Sequence, residues 1–192
     1  RDRADFAATL EIMRGNHGKN VIIPLYYPVG SESGFSRVIN VLFEKNVPAE
    51  IAAPVAECRE LWLDVIAETD EELMMRYLDG EELTDEEIAT GLVAAVRNCK
   101  AIPVFCGSAA KDIGVTELMD GIVRLFPDPL QRQTVPDADG GELTISESGP
   151  GVGLVFKSLN DSFIGQLTFL RVFSGVFKAD SEIFNVSTQG KE

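Results

Sequence analysis

The segment IPVFCGSAAKDIGV, residues 102–115, indicates the fold class of this sequence. Its first part, Ile102–Gly107, is continuously apolar, which is typical of a strand buried on both faces of a parallel sheet. The turn-forming SAAKDIG follows, and then a predicted helix with one apolar face. That face consists of Val115, Leu118, Met119, Ile122 and Val123. A strand, a loop and a helix in this order predict an α/β unit.

Two further β-rich runs lie upstream of this unit. Val21–Tyr27 and Phe35–Phe43 are joined by the turn-forming PVGSESG, so we expect an antiparallel pair. Pro24 has no backbone N–H to donate, which places it at an edge or a bulge. Before these strands a helix is predicted from about Asp5, and Gly15 is expected to end it in the left-handed conformation.

Helical patterns fill the region between the second β-rich run and Ile102. Pro48–Thr69 has one apolar face, but Pro54 would break a continuous helix, so we expect either a kink or a helix start there. Glu71–Leu78 is a second predicted helix. A third begins after Thr84, whose hydroxyl can cap the helix while Glu87 completes a capping box.

The C-terminal part changes in composition. Pro127–Pro150 is rich in Pro, Asp, Gly, Ser and Glu, which predicts a mobile linker. From Gly151 onward, VGLVFKSL, QLTFLRVFSG and SEIFNVS are β-patterned and separated by turn residues. We therefore expect an all-β domain to begin near residue 151.

Composition and charge exclude several classes of protein. The 192 residues are 45% hydrophobic and 25% charged, which excludes a disordered acidic tail. The net charge of -14 has the wrong sign for a chain that wraps a phosphate backbone, so no direct nucleic-acid binding is expected. The apolar stretch Val21–Val29 is too short to span a bilayer. No signal peptide is recognised, and we expect a cytoplasmic protein without a membrane partner.

Few residues could carry catalysis or bind a metal. Cys58, Cys99 and Cys106 are odd in number and form no CxxC, so we expect reduced core cysteines and neither a disulfide framework nor a zinc site. His17 is the single histidine and lies in a turn-like segment. Cys106 precedes Gly-Ser-Ala, as in papain-like proteases, but the other signatures of nucleophilic hydrolysis are absent.

Neither the acidic stretch nor a phosphate loop supplies an active site. Glu68–Glu87 contains ten carboxylates, for which a solvated helical face is the favoured interpretation over a general acid and base pair. No GxxxxGK[ST] motif occurs, and no GxGxxG follows a strand. What remains is a Ser-Ala turn after a parallel strand, whose backbone N–H groups could meet a ring carbonyl, beside a carboxylate that could accept from a guanine edge.

Four stretches of the sequence resemble elongation factor G, a translational GTPase. They are CGSAAKDIGVTELMDGIVRLFPDPL, EELMMRYLDGEELTDEEI, IPLYYPVGSESGFSRVINVL and GQLTFLRVFSGVFKADSEIFN. The first is similar to the guanine-contacting SA loop with its following helix, and the second to a helical hairpin of the subdomain inserted into the GTPase domain. The third is similar to the entry into that insertion, and the last to the start of the second, β-barrel domain.

The resemblance implies a fold class, which is α/β, and an organisation. Residues 1–15 and 101–127 would belong to the C-terminal part of a P-loop GTPase domain, and residues 16–100 to an inserted α+β subdomain. Residues 128–150 would form the linker, and 151–192 the start of an all-β barrel.

The resemblance also assigns site residues. Asp2 corresponds to the aspartate of the NKxD element, and Ser108, Ala109 and Ala110 to the SA loop that meets the guanine O6. GTP or GDP would be the cofactor, with Mg²⁺ bound by parts of the parent protein outside this chain. The implied partners are the ribosome and its stalk protein. No catalytic residue and no metal ligand is assigned.

The sequence departs from the family pattern at several places. Asn40 replaces an aspartate and Arg37 a glycine, and only Glu44–Val47 separates the strand from the next helix, where the family has more residues. A ribosome-protection protein, a GTPase-type release factor and a non-catalytic acidic interaction module remain as alternatives. An Asn-Lys immediately before Arg1 would favour the GTPase.

Overall fold

The chain is a mixed α/β protein that divides into two compact units, residues 1–127 and 128–192. A computed structural model describes residues 3–128, 131–137 and 140–191. None of the helices in these described ranges is long and apolar enough to cross a lipid bilayer.

In its described residues, the first unit contains five α-helices and four short strands, besides three short 3₁₀ helices. In chain order these are α1 (Phe6–His17), β1 (Ile22–Pro24), β2 (Tyr26–Val29), β3 (Arg37–Asn40), α2 (Ala52–Ala67), α3 (Glu71–Leu78), α4 (Asp85–Arg97), β4 (Ile102–Val104) and α5 (Val115–Leu125). Strands β1 and β4 pair in parallel, with Ile22 opposite Ile102. Strands β2 and β3 form the predicted antiparallel pair, with Tyr26 opposite Asn40.

The predicted strand Val21–Tyr27 is divided between two sheets at Leu25. The Leu25 N–H donates to the carbonyl of Val104, beside the parallel pair, at 3.0 Å. The Leu25 carbonyl accepts from the N–H of Val41, beyond β3, at 3.0 Å. One residue therefore connects both sheets, with Pro24 immediately before it at the end of β1.

Trp62 of α2 holds the helical region against these strands. Its side chain is fully buried, and its indole N–H donates to the carbonyl of Pro24 at 2.9 Å. The predicted apolar face of α2 is confirmed, because Val55, Cys58 and Val65 are buried in the same core. This packing places α2 beside β1, and α3 and α4 pack against α2.

The ends of the helices follow local chemistry with one correction. The prediction that Gly15 ends α1 is wrong: the helix continues to His17, and Gly18 follows at φ 98° with its N–H bonded to the Arg14 carbonyl. Pro54 does not kink α2, because it is the third residue of that helix, where a backbone N–H has no intrahelical acceptor. The capping box of Thr84 and Glu87 is confirmed.

The prediction that the strand at Ile102 is buried on both faces is wrong. Ile102 is 45% exposed, because its sheet consists of two strands in the described part of the chain. The helix α5 forms as predicted, but its expected inner face is exposed, with Val123 at 81%. Leu125 is the residue of α5 that enters the core.

The second unit consists of paired strands. They are β5 (Thr134–Pro136), β6 (Glu142–Thr144), β7 (Val152–Asp161), β8 (Gly165–Ser174), β9 (Phe184–Asn185) and β10 (Gly190–Lys191), paired antiparallel as β5–β6, β7–β8 and β9–β10. The predicted linker therefore contains a hairpin. The carbonyl of Ser146 also accepts from the Ser174 hydroxyl and the Gly175 N–H, which ties this segment to the end of β8.

We predict that replacing Trp62 with Phe lowers the free energy of unfolding by about 1–3 kcal/mol, because the buried Pro24 carbonyl loses its donor. Because this removes the sole tryptophan, the measurement is a urea titration followed by far-ultraviolet circular dichroism. The control is Tyr26→Phe, which removes a hydroxyl that has no hydrogen-bond partner within the described residues, with an expected change of at most about 0.5 kcal/mol. Equal midpoints for both variants would contradict the role of Trp62.

Candidate functional site

The residues after β4 form a closed turn, here called the 108–111 turn (Ser108–Lys111). The Ser108 N–H donates to the Ile113 carbonyl at 2.8 Å, and the Ile113 N–H donates to the Ser108 carbonyl at 3.1 Å. Between them Ala109–Lys111 is a short 3₁₀ helix, with the Lys111 N–H bonded to the Ser108 carbonyl. These bonds give the turn a defined shape without any ligand.

Gly114 allows the chain to return close to its own entry point. Its φ is 78°, and a Cβ atom there would collide with the Cys106 carbonyl oxygen. A side chain would therefore be strained by both backbone conformation and space. Because α5 begins at Val115, Gly114 is the residue that connects the 108–111 turn region to this helix.

Two backbone donors of the turn are available to a ligand. Ala109 and Ala110 are exposed, and neither N–H donates to an acceptor within residues 3–128, 131–137 and 140–191. Adjacent backbone N–H groups held in one turn suit a carbonyl or an anionic oxygen. The turn can therefore accept one oxygen atom without rearranging its own hydrogen bonds.

The structure brings together three of the four predicted site residues. Ser108, Ala109 and Ala110 all belong to the 108–111 turn. Asp2 lies outside the described residues. Its neighbour in the chain, Arg3, is described, and the Arg3 N–H donates to the Glu32 carboxylate at 2.9 Å.

The sequence interpretation missed the contacts of Lys111. Its ammonium group donates to the carbonyls of Ser33 and Phe35 at 2.9 and 3.1 Å. Both acceptors are main-chain atoms in the loop between β2 and β3. These contacts could not be predicted from side-chain patterns, because the acceptors are main-chain carbonyls far away in the sequence. The one signal in the sequence was that Lys111 lies next to the Ser-Ala motif.

Cys106, just before the turn, is a poor nucleophile. Its thiol donates to the Tyr26 carbonyl at 3.4 Å, and burial raises its pKa to about 12. The thiolate, the reactive form, is therefore scarce near neutral pH. This agrees with the exclusion of cysteine hydrolase chemistry on sequence grounds.

The acidic stretch Glu68–Glu87 covers α3, the start of α4 and the loop between them. Nine of its ten carboxylates are exposed, as expected for a solvated face, and Glu87 is half-buried. Arg76 pairs with Glu81 at 2.8 Å and with Glu87 at 2.6 Å. The Thr84 N–H and Arg76 together lower the pKa of Glu87 to about 2.

Exposed apolar side chains accompany these carboxylates. Met75 and Leu78 of α3 are 62% and 74% exposed. Within the described ranges, no group of three or more His, Cys, Asp or Glu side chains is arranged to hold a metal ion. The acidic stretch therefore exposes both carboxylates and apolar side chains.

Comparison with known proteins gives a structural match without a family assignment. No family model matches the chain. Among the solved structures that match is the crystal structure of a protein from Thermus thermophilus, with a TM-score of 0.67 and 30% sequence identity. The match covers 98% of this chain and 28% of the other, so this chain spans about 28% of the length of that protein. A similar fold is thus found within a longer protein.

We predict that Cys99 is alkylated before Cys106 near neutral pH. Cys99 is exposed, whereas Cys106 is half-buried and its pKa is raised to about 12. Labelling of Cys106 should increase as the pH rises toward that value, because the thiolate fraction grows. Iodoacetamide treatment followed by peptide mass spectrometry measures this order. The control is labelling in urea, where all three thiols should react alike, and preferential labelling of Cys106 in the folded protein would contradict the assigned burial.

Proposed function

We propose that this chain is part of an elongation factor G-like translational GTPase, a cytoplasmic protein that binds GTP and promotes ribosomal translocation. The sequence resemblance and the donors of the 108–111 turn support this proposal. The match to part of a longer solved protein agrees with a chain that is one part of a larger factor. Hydrolysis of GTP would supply the free energy for translocation. The residues of this chain would select the base, while the phosphates and Mg²⁺ would be bound elsewhere in the parent protein.

The observation that carries the proposal is the pair of free N–H groups at Ala109 and Ala110. Guanine presents a carbonyl oxygen at ring position 6, which accepts hydrogen bonds, whereas adenine presents an amino group there. Two backbone N–H donors facing that position would favour guanine. With adenine, the amino group would face two N–H groups, and no hydrogen bond could form between them. The carboxylate of Asp2 would accept from the ring N1–H and the exocyclic amino group of guanine.

The finer organisation is also part of the proposal. Residues 1–15 and 101–127 would belong to the GTPase domain, residues 16–100 would be its insertion, and residues 151–192 would begin a β-barrel. Strand β4 followed by α5 supports the assignment of residues 101–127, because a strand with a following helix is the unit from which open α/β sheets are built. Its parallel partner β1 lies within residues 16–100, so this small sheet is shared between the GTPase segment and the proposed insertion. The long hairpin of β7 and β8 supports the assignment of residues 151–192.

The acidic stretch is the proposed docking surface for the ribosomal stalk protein. Its exposed carboxylates would attract a basic partner, and Met75 and Leu78 would supply apolar contact area. Opposite charge accelerates the encounter of two proteins more than it deepens affinity. A non-catalytic interaction module would use the same surface, so nucleotide binding separates the two functions.

The first test removes one donor from the turn. We predict that Ala109→Pro in the full-length protein raises the Kd for GDP about tenfold, the loss expected for one ligand hydrogen bond in a desolvated site. Proline suits this position, because Ser108 is extended and Ala109 is the first residue of a short helix. Equilibrium titration with a fluorescent GDP analogue measures the change.

The matched control for this test is Ala49→Pro. Ala49 likewise begins a short 3₁₀ helix after a residue with non-helical backbone angles, Pro48 at φ -57° and ψ 140°, and it belongs to a different segment, just before α2. Its Kd should equal that of the wild type. Absence of GDP binding by the wild-type protein would refute the proposed function, and an unchanged Kd for Ala109→Pro would refute the role of that donor.

A second test concerns the docking surface. We predict that the association rate with the ribosomal stalk protein falls as salt rises, because charges are screened beyond about 8 Å at physiological ionic strength. The double variant Glu68→Lys, Glu82→Lys should slow association at low salt, since both carboxylates are exposed. Stopped-flow mixing at two salt concentrations gives the rates. Glu50→Lys is the control, because it reverses one charge outside the acidic stretch. An association rate that does not depend on salt would count against docking at the acidic stretch.

A further inference from the structure

The seven residues Gly30–Ser36 between β2 and β3, here called the 30–36 loop, form a compact structure. The Gly34 N–H donates to the Ser31 carbonyl at 2.8 Å, and the Ser36 N–H donates to the Val29 carbonyl at 3.1 Å. Gly30 has a φ of 80°, and a Cβ atom there would collide with the Gly34 carbonyl oxygen. The loop is therefore held in one shape by its own backbone.

Glu32 adopts an unusual backbone conformation within this loop. Its φ is 49°, in the left-handed region that non-glycine residues seldom occupy. Such a conformation costs free energy and persists where the surroundings determine it. Here the side chain makes a long-range contact, because the Glu32 carboxylate accepts from the Arg3 N–H at 2.9 Å.

The opposite end of the same loop contacts the 108–111 turn. The Lys111 ammonium donates to two carbonyls of the loop, those of Ser33 and Phe35, at 2.9 and 3.1 Å. One small loop thus contacts both parts of the chain that carry predicted guanine-contacting residues. It binds the residue directly after Asp2 and the last residue of the turn that contains Ala109 and Ala110.

These contacts bear on nucleotide binding through preorganisation. A ligand that must order two separate segments spends part of its binding free energy on ordering them. Segments that are already attached to a common support lose less freedom when the base arrives. Each contact is exposed, so its contribution is modest, and neither is expected to determine whether the chain folds.

We propose that the 30–36 loop is a positioning element for guanine recognition, with Lys111 and Glu32 as its two positioning residues. Lys111 would hold the 108–111 turn so that its N–H groups face the ring carbonyl. Glu32 would hold Arg3, the residue that follows Asp2 in the sequence. This inference rests on the proposed function, since it concerns how this chain recognises the base of a guanine nucleotide.

The test compares GDP with inosine diphosphate in the full-length protein. Inosine keeps the ring carbonyl and the N1–H but lacks the exocyclic amino group of guanine. Lys111→Met should raise the Kd for both nucleotides by about fivefold, the ratio that corresponds to one ordinary hydrogen bond, and should leave their ratio unchanged. Glu32→Ala should weaken GDP more than inosine diphosphate, so that the preference for GDP becomes smaller.

Conservative variants and matched controls separate positioning from general destabilisation. Lys111→Arg keeps a cationic donor and Glu32→Gln keeps an acceptor oxygen, so both should restore most of the affinity. Lys45→Met and Glu50→Ala remove the same charges at exposed positions and should bind GDP as the wild type does. The urea midpoint of every variant is measured alongside, and a loss that follows the midpoint instead of the nucleotide would overturn the proposal.

The outcomes also distinguish this inference from the proposed function. If the wild type binds GDP while Lys111→Met and Glu32→Ala stay within about twofold of it, the scatter expected for surface substitutions, the positioning role is refuted and the proposed function stands. If the wild type binds no GDP, both fail. Faster amide hydrogen exchange across residues 30–36 in Lys111→Met, together with weaker GDP binding, is the result that we expect.

Discussion

The parallel pairing of β1 with β4 is the contact on which the rest of the first unit depends. It joins Ile22 to Ile102 across a stretch of chain that contains two strands and three helices. Such a closure costs conformational entropy, which must be offset by burial elsewhere. The fully buried Trp62, bonded to the carbonyl of Pro24 at the end of β1, and the apolar cluster around it supply that burial.

The pairing also determines where the candidate site lies. Because β4 runs parallel to β1 and ends at Val104, the chain emerges beside Leu25, where it bonds to the residue that connects the two small sheets. The 108–111 turn and the 30–36 loop therefore come from neighbouring strand ends. Lys111 can reach the carbonyls of Ser33 and Phe35 only because these ends lie together. The turn is held both by its own bonds and by a support that is distant in sequence.

Charge is distributed unevenly between the two proposed surfaces. Half of the residues from Glu68 to Glu87 are carboxylates, and Arg76 is the only basic side chain among them, already paired with Glu81 and Glu87. The proposed contact with the base instead relies on the uncharged backbone N–H groups of Ala109 and Ala110 and on a single carboxylate, that of Asp2. This separation suits a protein in which one segment attracts a partner at long range and another segment selects a base. Backbone donors select a base by the position of its acceptor atom and not by its net charge.

The second unit has a different balance between local and long-range contacts. Its β7–β8 hairpin has the alternating and aromatic pattern expected from the sequence, yet its large side chains stay exposed, with Phe163 at 97%. The described residues of this unit form separate antiparallel pairs of strands, and the barrel implied by the sequence resemblance stays a prediction. The hairpin β5–β6 and the bonds to Ser146 lie within the predicted linker, residues 128–150, and composition did not indicate them, because glycine, proline and serine suit tight hairpins as well as linkers.

The sequence by itself determined the features that depend on neighbours within one or two helical turns. These include the capping box of Thr84 and Glu87, the bounds of Glu71–Leu78, the apolar face of α2 and the antiparallel pairing across PVGSESG. It also singled out the Ser-Ala turn at Ser108 and Ala109, which is a local pattern after a strand, and the family resemblance added Ala110. Only the tertiary structure decided the division of Val21–Tyr27 at Leu25, the exposure of β4 and α5, and the meeting of Lys111 with the 30–36 loop. The physical reason is that the burial of a residue, and the main-chain carbonyls to which it bonds, depend on segments far away in the chain. Periodicity in a sequence predicts that one face of a helix or strand is buried, but it does not predict which segment covers that face.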